Sequence, residues 1–433
     1  MKQKVNIILM ILIFGIGQAQ EVTSISKSEV LSKVQEHNTS IKISEESFNE
    51  AKGDFRQTNA IFLPNISVSH TGISTTNPLM AFGSKLNQEI LTQNDFSPAL
   101  LNDPDQTQNF ATRIAVQQPL INLDGFYQRK AANSKMKAME LQSERTKDYM
   151  NFEVENAYMQ LQLAYKAVDV LEKALSAAQA NLELANNSFK QGYLHRSDVL
   201  SVEVRVGEVK NQLQVAKSNV KNASNYLSFL MNESSETIYR PSDSLTVSVM
   251  NSELVSGIEN RADVKAMELA SDARASMYKA DKMTFLPTLN AFASYELYDD
   301  QIFQADANGY LFGAELKWNI LEGTKRFGKA QKAKATYEKS KLEYNQYVSK
   351  SQLEISKTKR ALEDAYNKLA LAQLAVEQSK EALRIRTNRF GEGLEKTTDL
   401  LMAETMYAQK QLEYYQTIFQ YNSTKAYLQF LTK

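Results

Sequence analysis

The stretch FKQGYLHRSDVL at residues 189–200 is written again 201 residues later, as FGEGLEKTTDLL at residues 390–401. In each copy a Phe (Phe189, Phe390) ends an apolar stripe, and a glycine follows (Gly192, Gly393), suited to the left-handed turn that stops a helix. Ser197-Asp198 or Thr397-Thr398-Asp399 then offers N-cap chemistry for a helix running back. Working upstream, the stripe is Val154, Leu161, Val168, Leu175, Leu182 and Phe189 in the first copy. In the second it is Ile355, Leu362, Leu369, Val376, Leu383 and Phe390. A strict seven-residue spacing keeps one seam facing a partner helix and implies supercoiling. Ala157, Ala164, Ala178 and Ala185, with Leu171 among them, are the companion positions of the first seam. Small residues there let helices approach closely. One helix over 123–190 would be roughly 100 Å long at 1.5 Å per residue, more than a globular domain needs.

The duplication extends further. Leu63-Pro64 is echoed by Leu286-Pro287, QQPLINLDG ending at Gly125 by KWNILEG ending at Gly323, and Tyr226–Leu230 by Tyr427–Leu431. The Leu-Pro pairs are 223 apart and the glycines 198 apart, so the first half carries 25 extra residues between Pro64 and Gly125. They fit the polar, proline-containing stretch around Thr71 to Asn109, which reads as a long loop.

Between each Leu-Pro and its helix the period changes to two. Tyr310, Phe312, Ala314, Leu316, Trp318 and Ile320 alternate with mostly polar partners, and Leu289, Ala291, Ala293, Tyr295 and Leu297 alternate before them. The first half is weaker: Ile66 and Val68, then Ile114, Val116, Gln118 and Leu120. A strand of about ten residues with one apolar face is long enough to cross a bilayer at a tilt. Four such strands cannot close a barrel, and open edges in lipid cost several kcal/mol per unpaired group, so sister chains must share it.

Composition removes other classes. There are 15 Gly and 7 Pro in 433 residues, which suits long helices with few turns. Fifty basic residues balance fifty acidic ones, leaving no basic excess for nucleic acid. With no Cys and three separated histidines, His37, His70 and His195, a metal site or nucleophilic triad has little to be built from, and no cofactor motif occurs. The expectation is a protein that is not an enzyme. Lys2 and Lys4 before the apolar run Ile7–Ile16 and then Gly17-Gln18-Ala19 read as a signal peptide cleaved after Ala19.

The duplicated layout resembles the TolC-like outer-membrane efflux proteins. It does so in the FLP before each strand, in QQPLINLDG and KWNILEGTKR leading into helices, and in the two tips quoted above. The resemblance implies a mainly α fold with a small transmembrane β part. It also implies a homotrimer, whose shared twelve-stranded barrel stands in outer-membrane lipid and continues as a periplasmic α-helical barrel. Its implied partners are a periplasmic adaptor and an inner-membrane pump of the resistance-nodulation (RND) or ATP-driven (ABC) type, in a Gram-negative bacterium.

On that frame 1–19 is the signal peptide, 20–60 an N-terminal periplasmic helical segment and 61–122 the first β-hairpin with its external loop. The first long helical hairpin is 123–235, the inter-repeat linker 236–262, and a helix 263–284. The second β-hairpin is 285–322 and the second helical hairpin 323–433. Asp399 matches an acidic position of the family's gate. The next acidic position is Met402 here, a clasping Arg is replaced by Glu395 and a clasping Tyr by Phe390. Asp198 is the repeat partner of Asp399, and for both, helix capping is the competing role. Gly192, Tyr193, Leu194, His195, Gly393 and Leu394 are the expected adaptor contacts, and Tyr310 to Ile320 the lipid-facing strand. A periplasmic coiled-coil or adaptor protein without a pore is the rival expectation.

Overall fold

A computed structural model describes residues 22–248 and 257–433; the signal-peptide assignment and the middle of the linker lie outside them. The chain divides into two compact units.

The sheet unit takes in Ser47–Glu140 and Ala266–Asn345. Its strands are β2 (Asn65–Thr75), β3 (Thr107–Ile121), β5 (Thr288–Asp299) and β6 (Ala307–Lys317), each antiparallel to its neighbours in the order β2-β3-β5-β6. Register explains the alternation. Ile66 lies opposite Val116, Val116 opposite Ala293 and Ala293 opposite Phe312. One row along, Val68, Ile114, Tyr295 and Tyr310 align in the same way. Side chains two apart share a face, so four weak patterns become one continuous apolar face, with Val68, Tyr310 and Phe312 all exposed. The opposite face carries Ser67, Ser69, Asn290, Glu315 and Lys317. It also holds a cross-strand ion pair, Arg113 Nε to Glu296 Oε1 at 3.2 Å. Among the described residues, β2 and β6 each have a free edge.

Two expectations are corrected here. Trp318 and Ile320 lie beyond the end of β6. The chain must turn toward its next helix, which it does through Gly323 at φ +57°. Trp318 Nε1 donates to the Phe285 carbonyl at 3.0 Å, and the Arg326 guanidinium donates to the carbonyls of Ile320 and Thr284. Second, the stretch read as a loop is partly ordered: β2 runs on to Thr75, β3 begins at Thr107, and two short helices lie between. These are α3 (Pro78–Asn87) and α4 (Pro98–Asn102), each with Pro in its first turn and a capping Asn77 or Ser97.

The helical unit takes in the described residues up to Glu46, with Leu141–Lys265 and Gln346–Lys433. α5 (Leu123–Lys190, 68 residues) and α8 (Lys325–Gly391, 67 residues) are the two long helices. Each is followed by a 36-residue return helix, α6 (Arg196–Met231) and α9 (Thr397–Thr432). Val154 and Leu161 are fully buried, but so are Ala157, Ala164, Ala178 and Ala185, while Phe189 is half exposed. The small companions, not the large seam residues, make the close approach along the lower part of α5.

The N-terminal segment was expected to be helical and does hold α1 (Lys27–His37) and α2 (Thr39–Gln57), but it opens as a strand. β1 (Val22–Ile25) pairs in parallel with β4 (Ile238–Pro241). This two-stranded sheet packs Ile25 and Tyr239 into a core with Val30, Val34, Tyr158, Leu161, Leu227 and Met231. α7 (Ala262–Met283) begins at a buried charge cluster. Asp263 accepts from Arg261 Nη2 at 2.6 Å and from the Tyr347 hydroxyl at 2.6 Å, with Arg145 Nε at 3.3 Å.

Candidate functional site

The two tips are built alike. The Gly192 N–H donates to Phe189 O at 2.9 Å and the Tyr193 N–H to Ser188 O at 2.9 Å. Gly393 and Leu394 repeat this with Phe390 O at 3.0 Å and Arg389 O at 2.8 Å. These paired bonds satisfy the last carbonyls of a helix and require its left-handed terminal residue; φ is +82° at Gly192 and +74° at Gly393.

Beyond this motif the tips diverge. At the first, the Asp198 carboxylate accepts from the His195 N–H at 3.1 Å, so the geometry gives Asp198 the capping role. Tyr193 and His195 are exposed, and Leu194 packs beside Ala185, Val199 and Val202. At the second, Asp399 belongs to a charged group. Arg386 Nη1 lies 2.7 Å from Glu395 Oε1 and 3.7 Å from Asp399 Oδ2, and Arg389 Nε lies 2.8 Å from Glu395 Oε2. Arg389 Nη2 also donates to the Leu394 carbonyl at 3.1 Å. The Arg389 hydrogen bond, against partial burial and with Arg386 assisting, holds the Glu395 carboxyl below the ordinary range. Phe390 is buried, Leu394 is exposed, and the Asp399 side chain stays 43% exposed.

Thus Glu395 and Asp399 are brought together and Asp198 serves its own helix start. Arg386 and Arg389 went unnoticed in the sequence. Their signal was modest: two arginines three apart near the end of α8, with Arg389 in its last turn, where cations favour the helix terminus. A second group had no signal at all. Five residues beyond Asp399, Glu404 is buried on α9 and accepts a hydrogen bond from Asn181 of α5. Among the described residues its Oε2 and the Nε of the neighbouring buried Arg205 on α6 have no hydrogen-bond partner. Burial pushes the Glu404 carboxyl upward, opposed by Asn181 and by the charge of Arg205.

Among the described residues no helix is long and apolar enough to cross a membrane. A separate candidate surface is the apolar sheet face. Tyr310 and Phe312 stack along β6 with ring centroids 6.2 Å apart, and Ala314 and Leu316 follow on the same side.

Comparison with known proteins accords with this geometry. The family model described as outer membrane efflux protein matches residues 30–233 and 255–432. No curated protein sequence matches the chain. Among solved structures, the outer membrane protein VceC from Vibrio cholerae is 18% identical with a TM-score of 0.79, covering 94% of this chain and 96% of that one. A membrane protein from Pseudomonas aeruginosa is 15% identical with a TM-score of 0.82, covering 94% and 93%. The Campylobacter jejuni CmeC outer membrane channel is 15% identical with a TM-score of 0.81, covering 94% and 85%. At such identities the likeness is one of fold.

Proposed function

This chain belongs to the outer membrane efflux protein family, and from that premise we propose that three copies assemble into the exit duct of an efflux or export machine. The carrying observation is the sheet: four strands, an apolar face and two edge strands of 11 residues each whose outer sides are unpaired among the described residues. Each open edge in hydrocarbon costs several kcal/mol per unsatisfied group. Joining β2 of one copy to β6 of the next removes both edges, and three copies give twelve strands, an even number suited to such barrels. The apolar face turns to lipid and the polar face to the lumen. Trp318, just past β6, would supply an aromatic side chain to a girdle at the membrane interface.

The helical hairpins would cross the periplasm of a Gram-negative cell, with the mature chain starting near residue 20. The tips at Gly192–His195 and Gly393–Leu394 would meet a periplasmic adaptor that couples the duct to an RND or ABC-type pump. Conduction is passive, and no catalysis is proposed for this chain. Asp399, half exposed and 3.7 Å from Arg386, would supply a ring of three carboxylates at the periplasmic gate. Glu395 would hold the two arginines back from the pore. A pore-free coiled coil or adaptor leaves the free strand edges without a purpose.

The test is fractionation followed by planar-bilayer recording. The expected result is a heat-sensitive trimer in the outer membrane that conducts when purified in detergent. A mature chain that is monomeric and soluble without detergent defeats the proposal. Within a working channel, Asp399→Asn should lower cation preference; unchanged conductance and selectivity would remove Asp399 from the gate.

A further inference from the structure

The residues present only in the first half of the duplication encode helix α3. Residues 76–106 join β2 to β3, whereas 300–306 suffice to join β5 to β6. α3 lies against the polar face of the sheet at its hairpin end, away from the strand ends that lead into α5 and α8. Ala81, Ser84 and Gln88 are buried, and so are Thr107, Asn109 and Ala307, which share the polar face with Arg113 and Glu296. Gln88 fixes the contact. Its Nε2 donates to Gln108 O at 2.8 Å, to the Asn109 side-chain oxygen at 2.8 Å and to Asp299 O at 3.3 Å. Lys85 to Asp95 at 2.8 Å and the edge-on pair Phe82–Phe96 tie the following turn back onto the helix.

The opposite side of α3 is apolar. Leu79, Gly83 and Leu86 follow one another at spacings of four and three, nearly half a turn of the helix from Ala81 and Ser84, and the apolar Ile90 follows just past the helix end. Leu79 is 81% exposed and Leu86 56%. A side chain at Gly83 would meet nothing within 4 Å in this chain. An apolar stripe centred on a glycine, on a helix already anchored by its other face, is a surface for close helix packing.

We propose that this stripe meets its own counterparts on the sister chains, so that three α3 helices close the outer mouth of the barrel from inside. The inference rests on the trimeric channel reading. Twelve strands about 4.8 Å apart, tilted by about 40°, enclose a bore of roughly 12 Å radius at the backbone. A helix about 12 Å across with its side chains, laid on that wall, reaches the axis, so three of them touch. The stripe faces away from its own wall, toward that axis, and the matching apolar surface there is the same stripe on the other copies. The outer mouth is thereby a constriction separate from the tip carboxylates.

The chain has no cysteine, which makes the test clean. Leu79→Cys, Gly83→Cys and Leu86→Cys are introduced singly into the full chain, and the trimer is purified from the outer membrane. Oxidation should give cross-linked dimers at stripe positions but not at an Asn102→Cys control, and should lower conductance reversibly. Leu79→Asp combined with Leu86→Asp should at least double the conductance. A trimer that conducts, cross-links at none of the three positions and is unchanged by the double substitution overturns the proposal while leaving the channel reading intact. A parent chain that neither trimerises nor conducts removes both.

Discussion

Asp263 is where single-residue chemistry has most at stake. Burial pushes its carboxyl up, but Arg261, Tyr347 and Arg145 together outweigh burial and bring it down to about 2. The folded value lies below the ordinary ~3.9. The carboxylate therefore contributes stability in full above pH ~4, and that contribution is lost as pH falls through about 2. Asp263→Asn leaves Arg261 and Arg145 buried without their counter-ion and should cost about 3 kcal/mol at pH 7, read by denaturant unfolding. The gap between parent and variant should be flat above pH ~4 and shrink below it. A gap that instead grows on acidification would show that the cluster is not held together by this charge. Glu395 has the same sign of shift at an exposed tip, where water screens the pair and little stability follows. Its variant belongs on the bilayer: Glu395→Gln frees Arg386 and Arg389, and cation preference should fall. Little of this was legible in the sequence beyond Glu395 as a candidate. Asp263, Glu404 and Arg205 look like solvated helix charges until packing buries them, and Arg386 finds Glu395 only because the turn at Gly393 folds one onto the other.

The elements were easier to read, and for a local reason. The seven-residue seam and the glycine stops are encoded within a few turns, so α5, α6, α8 and α9 are visible in the chain as written. β1 and β4 were missed because four-residue strands show no period and their partners are some 216 residues apart, Val22 against Ile238. α3 escaped because it is short. Ten residues are fewer than the window over which a helical period stands out, though Asn77 and Pro78 marked its start. The glycines now separate into two kinds with opposite consequences. Gly393 sits at φ +74°, where a Cβ costs roughly 1–2 kcal/mol. Gly53 lies inside α2 with nothing within 4 Å of an added Cβ, and there Ala should stabilise by about 0.5–1 kcal/mol. Gly393→Ala should thus speed proteolysis at the second tip while Gly53→Ala raises the melting temperature. Equal effects of the same sign would mean that the tip turn is not under conformational demand.

At the scale of the whole molecule, the claim that matters is which side of the sheet meets lipid, and two adjacent residues can decide it. Leu311 and Phe312 are both exposed in the single chain, and by composition alone either could be a lipid contact. The register separates them. Phe312 lies opposite Ala293, on the face with Tyr310, Tyr295 and Val68, whereas Leu311 lies opposite Ser294, on the face with Glu296 and Arg113. In a soluble sheet an arginine at either site would be a surface change within about 0.5 kcal/mol of neutral. In a barrel the two differ sharply. Phe312→Arg places a charge in hydrocarbon, costing roughly 2–4 kcal/mol near the midplane in each of three copies. The trimer should then melt at a lower temperature in detergent and accumulate less in the outer membrane. Leu311→Arg faces the lumen, so the trimer should assemble at parental yield and shift its ion preference toward anions in planar bilayers. Equal tolerance of both arginines would mean that neither face meets lipid. A reversed pattern, with Leu311→Arg the damaging change, would put lipid on the opposite side and place α3 outside the barrel, where it could close nothing.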